Sequence, residues 1–160
     1  MSKQKETNDA NFKMVANNKR ATFDYELLEK FEAGLVLTGT EIKSVRANKV
    51  SLQRSYVQAK DDELWLHEAN IAQYEHGNRE NHDPTRPRKL LLHRRQINRI
   101  ISTLNEKGLT MVPVRLYLKN GRAKLEVALG RGKKQFDKRA ALADKDSKRQ
   151  IERALKLKYS

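Results

Sequence analysis

The chain has 160 residues, enough for one domain with a core and tails but not for two comfortable ones. Its 34 Lys and Arg against 20 Asp and Glu leave a formal charge of +14, which self-repels unless a polyanion is near; nucleic acid is the first partner to consider and an anionic membrane the second. The absence of cysteine excludes disulfides, thiolate metal sites and zinc-finger modes of nucleic-acid binding, and no apolar run approaches the roughly 20 residues that cross a bilayer.

Residues 1–17 are polar, with Phe12, Met14 and Val15 as the main apolar groups, too few to offset the entropy of ordering the segment. They are expected to form a flexible leader, and they lack the apolar centre of a signal peptide, so a soluble cytoplasmic protein is expected. From Phe23 the text alternates: Phe23, Tyr25 and Leu27, then Phe31, Ala33, Leu35 and Leu37, predict half-buried strand, with Gly34 marking a bulge or bend. TGTEIKSVRANK then predicts a short helix with Thr40 as N-cap and Asn48 as stop, exposing Lys43, Arg46 and Lys49.

SLQRSYVQAKDDELWLHEANI predicts a hairpin around Asp61-Asp62, with Tyr56 on its first strand and Trp65 on its second. EHGNRENHDPTRPRK is a loop by composition, since Gly77, Pro84 and Pro87 break any period. Ile97, Ile100, Ile101 and Leu104 at i, i+3, i+4, i+7 predict a helix that ends at Gly108. After it, Val112, Val114, Leu116 and Leu118 alternate inward, Asn120-Gly121 supplies a type I′ turn, and Leu125, Val127 and Leu129 return; Pro113 belongs at an edge or bulge.

Strands in this order, without a β-α-β rhythm, predict a mainly β fold: a small antiparallel barrel with two to three helices, the OB-fold being the nearest architecture. Residues 18–130 are assigned to this barrel and 131–160 to a basic C-terminal tail. That tail holds eleven basic residues against four acids. Helix formers run through it, yet Ile151 and Leu155 give too thin an apolar stripe to fold alone, which predicts a tail that is mobile when free and helical when laid along RNA.

The opposite parity of the last hairpin places Arg115, Tyr117, Lys119, Arg122 and Lys124 on its outer face, a surface that suits phosphates and stacked bases but also an ordinary solvated sheet. His67, His76, His82 and His93 lack metal-ligand spacing, Asp61, Asp62 and Glu63 read as a turn rather than a Mg²⁺ site, and GRGKK lacks the Walker pattern. No nucleophile–base pair is visible, so neither an enzyme nor a cofactor is expected.

NKRA (18–21), FEAGLVLTGTEIKSVRA (31–47), SYV (55–57), DPTRPRKLLLHRR (83–95), LKNGRAK (118–124) and GRGKKQFDKR (130–139) together resemble the SsrA-binding (small protein B) family of bacterial trans-translation. The resemblance implies an OB-like barrel that clasps the tRNA-like part of transfer-messenger RNA, and a C-terminal tail that becomes helical in the empty messenger channel beyond the decoding centre. It implies a monomer whose partners are alanyl-charged transfer-messenger RNA, the ribosome and elongation factor Tu. Carried over by position, Glu32, Tyr56, Leu91, His93 and Lys124 would meet the RNA; Asn18, Lys19 and Arg20 of the NKRA stretch and Lys119 and Arg122 of the hairpin's outer face are expected to join them. Gly132, Lys133, Lys134, Phe136, Asp137, Lys138 and Arg139 would lie in the decoding centre, with Phe136 where some relatives have histidine. A structural ribosomal or general RNA-binding protein without a rescue role is the alternative.

Overall fold

The computed structural model describes residues 11–77, 81–133 and 135–159; the side chains of 135–138, 140, 141, 144 and 157–159 lie outside that description. The elements in order are β1 (Phe12–Asn17), α1 (Lys19–Asp24), β2 (Tyr25–Leu35), α2 (Gly39–Arg46), β3 (Val50–Ser51), β4 (Tyr56–Lys60), β5 (Glu63–His67), β6 (Asn70–Ile71), β7 (Arg88–Leu91), α3 (Arg94–Lys107), β8 (Thr110–Lys119), β9 (Arg122–Gly132) and α4 (Gln135–Tyr159). Seven strands form one antiparallel sheet in the order β1-β8-β9-β2-β7-β5-β4, and β3 pairs with β6 alone.

The fold is mainly antiparallel β, as the alternation predicts, but the described residues form no closed barrel. Strand β8 already has β1 on one edge and β9 on the other, so β4, which curls round to meet it, packs against β8 without a ladder. Register shifts between Met14 and Ala16, Leu27 and Glu29, and Pro113 and Arg115 supply the local twist that curling needs. The shift beside Pro113 also changes the face on which β8 points its apolar residues. Leu116 and Leu118 enter the main core with Phe31, Ala33, Leu66, Leu90, Leu125 and Val127. Val112 and Val114, expected in that same core, instead join Ala21 and Ala128 in a second cluster beneath α1.

Four local expectations hold. α3 lays Ile97 and Ile100 into the core and ends at Gly108, whose φ of +60° is the left-handed cap glycine accepts at low cost. Asn120 and Gly121 have φ of +52° and +76°, the signature of a type I′ hairpin turn. Asp61 and Asp62 have φ of +52° and +58° and turn between β4 and β5. Asn48, with φ of +60°, follows α2 as its stop.

Two differences bear on the site. Residues 12–17, expected within the flexible leader, form the edge strand β1, because pairing with β8 supplies hydrogen bonds that local composition does not foretell. The N-cap of α2 is Thr38 rather than Thr40, in a reciprocal capping box with Glu41.

Gly34 is where β2 meets both β9 and β7, opposite Lys124 and Leu91. It is not a bulge; a Cβ there would sit 3.2 Å from the Leu91 Cβ, so glycine permits the close approach of β7. Gly34→Val is expected to push β7 away and lower stability by about 1–3 kcal/mol in denaturant unfolding.

Candidate nucleic-acid interface

The outer face of β2, β9 and β8 gathers the residues expected there. Gly34 lies between Leu91 on β7 and Lys124 on β9, so both side chains flank a position without one. Glu32 stands two residues earlier on β2, Lys124 faces Tyr117, and Arg122 faces Lys119. The result is a groove with an apolar end, made by Leu35, Leu37, Ile42 and Leu91, that runs into a polar one lined by Glu32, Lys119, Asn120, Arg122 and Lys124. Leu91 is 51 % exposed, which a core residue of β7 would not be.

Charge on this face is graded. Glu126 is held by Arg115 and lies 3.8 Å from Lys30, so Arg115 is committed within the sheet. Lys119 is 3.9 Å from Glu32. Arg122 and Lys124 have no ion pair among the described residues and are the cations most available to an incoming phosphate.

Tyr117 corrects an expectation. Its parity is outward as predicted, but its ring is 5 % exposed, because Phe12 of β1 packs over it with ring centroids 5.0 Å apart. Its hydroxyl donates to the Glu32 carboxylate. Burial, and then that hydrogen bond, pushes the phenol pKa well up, so Tyr117 stays a donor that fixes Glu32 and has no open face for a base.

Tyr56 lies elsewhere. It stacks on His67 across the β4–β5 hairpin, centroids 5.1 Å apart and planes 11° apart, and is still 46 % exposed. It borders a cleft of about 160 Å³ shared with Asn18, Arg20, Gln53, Arg54 and the start of β8. Lys19 and Arg20 are exposed on α1, but Asn18 is 5 % exposed and is mainly a clasp: its backbone N–H donates to the Val114 carbonyl and its Nδ2 to the Pro113 carbonyl, both at 2.8 Å. Arg54, absent from the sequence candidates, shares this cleft; its place directly before SYV was the available signal. His93 is exposed just before α3, two residues beyond Leu91.

The loop words have a structural use. Glu41, fully buried on α2, receives Arg86 and the fully buried Arg88. Arg88 also donates to the carbonyls of Ala69 at 2.7 Å and Pro84 at 3.0 Å, and Arg86 to that of Val36 at 3.2 Å. Buried His82 bridges the Thr40 hydroxyl and the Ile71 carbonyl, so it is no loose metal ligand; among the described residues no cluster could hold a metal ion. Arg94 donates to the Asp62 backbone carbonyl and pairs with the Glu63 carboxylate.

At the tail, β9 runs through Gly132, paired with Tyr25, and Lys133 continues the ladder by donating its N–H to the Asp24 carbonyl at 2.9 Å. The Lys133 Nζ donates to the Thr22 carbonyl at 2.9 Å near the end of α1. Lys133 thus ties the root of α4 to α1. Arg139 is exposed, and Leu142, Ile151 and Leu155 stand 47–60 % exposed along α4. Lys134 and the side chains of Phe136, Asp137 and Lys138 lie outside the described residues.

With this geometry in hand, comparison with known proteins is decisive: the family model described as SmpB protein matches residues 15–157. The chain belongs to the SmpB family. The SsrA-binding protein of Shouchella clausii (strain KSM-K16) is 55 % identical over 144 residues, 90 % of this chain and 92 % of its own. That of Carboxydothermus hydrogenoformans (strain ATCC BAA-161 / DSM 6008 / Z-2901) is 50 % identical over 147 residues, 92 % of this chain and 99 % of its own. A solved SmpB structure, described as "tmRNA-SmpB: a journey to the center of the bacterial ribosome", has a TM-score of 0.62 at 48 % identity and covers 74 % of this chain and 84 % of its own. The SmpB match begins within β1 and ends within α4, so it takes in both groups of candidate residues and all but the last three residues of the tail.

Proposed function

We propose that the chain is a non-enzymatic adaptor for trans-translation. It binds transfer-messenger RNA through the folded body, helps deliver it, charged with alanine, to the ribosomal A site, and places the segment from 131 onward in the decoding centre and empty messenger channel. Elongation factor Tu joins the delivery, the protein acts as a cytoplasmic monomer, and the stalled chain is tagged for degradation. No helix among the described residues is long and apolar enough to cross a membrane.

The observation that carries this reading is the likeness to SsrA-binding proteins, 50–55 % identical over 90–92 % of the chain, a span that includes the groove strands as well as the core. The groove adds a physical reason. Arg122 and Lys124 offer unpaired charge to phosphates, Leu91 offers apolar contact, and Glu32, fixed by Tyr117, offers a carboxylate acceptor to a base or ribose. Lys19, Arg20, Arg54 and Tyr56 form a second contact, which suits an RNA that wraps rather than touches one point.

Binding isotherms test it. The protein is expected to prefer the tRNA-like domain of transfer-messenger RNA over an unrelated structured RNA of equal length, and Lys124→Glu to weaken binding to that domain about tenfold while lowering the salt slope by about one. Equal affinity for both RNAs would favour a general RNA-binding protein without a rescue role.

A further inference from the structure

β1 carries two exposed apolar side chains on one parity, Phe12 at 43 % and Met14 at 41 % exposure. In register Phe12 faces Lys119 and Met14 faces Tyr117, so both project on the groove face rather than into the core. Single exposed apolar residues are common on any surface. This pair is unusual in its setting, on a stretch of sheet that also gathers Lys119, Arg122 and Lys124.

The face lacks one thing that single-stranded RNA sites contain, an open aromatic ring among the cations. Tyr117 cannot serve, since it is buried and its hydroxyl is held by Glu32. Phe12 sits on top of it, with one side of its ring against Tyr117 and much of the rest in solvent. Glu32 also touches Tyr117 and has a second carboxylate oxygen, Oε1, with no partner among the described residues. One buried tyrosine therefore supports both a ring and an acceptor.

We propose that Phe12 is a stacking platform for an unpaired nucleobase of the bound RNA, with Lys119 and Arg122 holding the neighbouring phosphates. The inference rests on the RNA-binding reading of the groove and extends that site onto β1. Charge complementarity selects the occupant: an apolar partner protein would have to desolvate three cations, whereas a nucleotide needs both the ring and the charge.

The test compares the full-length protein with Phe12→Leu and Phe12→Trp, using the tRNA-like domain of transfer-messenger RNA as probe. Leucine keeps an apolar cover on Tyr117 without a π face, so thermal unfolding should be nearly unchanged while affinity falls about fivefold or more. Tryptophan should keep or improve affinity, and its emission should be quenched on RNA addition, beyond any change seen from Trp65 in the wild type. Equal affinity of wild type and Phe12→Leu, or an added tryptophan whose emission RNA leaves unmoved, overturns the proposal while the RNA-binding reading stands. A change in sedimentation with RNA affinity unmoved would make the face a self-association surface and overturn it as well. If the wild type does not bind the probe, both fall.

Discussion

Replacing Glu41 by alanine is expected to lower the stability of the folded body by about 3–5 kcal/mol, the cost of leaving a buried charge without its partner. Arg88 is fully buried, and Glu41 is the only carboxylate in direct ion-pair contact with it among the described residues, Asp83 adding a weaker attraction from farther off. Its other guanidinium bonds go to backbone carbonyls, which satisfy hydrogens but carry no counter-charge. Arg86 would lose its ion pair in the same step, and with it the tie between residues 83–88 and α2. For a chain of this size, about 2–4 °C of melting temperature follows each kcal/mol, so a drop of about 10 °C is the expected reading in a thermal scan. A loss below about 1 kcal/mol would mean that water reaches Arg88 in the folded state.

The same carboxylate gives an acid limb to stability. Burial alone would raise the Glu41 pKa, but the Arg86 guanidinium, the Thr38 N–H and Arg88 outweigh it and hold the carboxyl below its ordinary value of 4.5. A group with a lowered folded pKa stabilises the fold fully above its unfolded pKa, and that contribution is lost as pH falls through the folded value. Below about pH 5 the wild type therefore loses stability that a Glu41→Gln variant, already weaker, has no longer to lose.

The distance of Arg86 and Arg88 from Glu41 in sequence explains why this network could not be read from the chain. Nothing local marks Glu41 as buried: an acid in the first turn of a short helix is ordinarily a solvated one. α3 and the Asn120-Gly121 hairpin were legible because their signals, a 3.6-residue period with a terminal glycine and a two-residue turn, lie within one element. α1 was missed because six residues with only Ala21 buried carry no measurable period. β1 was missed because an edge strand is made by its neighbour. That omission reached the site, since only β1 explains why Tyr117 is covered and Phe12 is not. Alternation told which residues of the last hairpin share a face, and so placed Lys119, Arg122 and Lys124 together, but it could not bring Glu32 of β2 beside them or say whether the sheet closes.

Ending the chain at Lys133 is expected to abolish peptide tagging while leaving affinity for transfer-messenger RNA within about tenfold. The end point matters: stopping at Gly130 would strip the pairing of Arg131 and Gly132 with Glu26 and Tyr25, whereas Lys133 keeps that ladder and both bonds to α1. Leu142, Ile151 and Leu155 are exposed on α4, so removing it uncovers little core, and the melting temperature of the body should hold within a few degrees. The groove residues stay in place, which is why most of the affinity should remain; the lost tail cations subtract only the salt-sensitive part, visible as a shallower slope of log affinity against log salt. Tagging is different, because on the proposed reading only this segment enters the decoding centre. Normal tagging by the shortened chain would remove that role from the tail. Affinity that collapses far beyond tenfold at moderate salt would instead place α4 on the RNA, making the tail part of the grip rather than the probe.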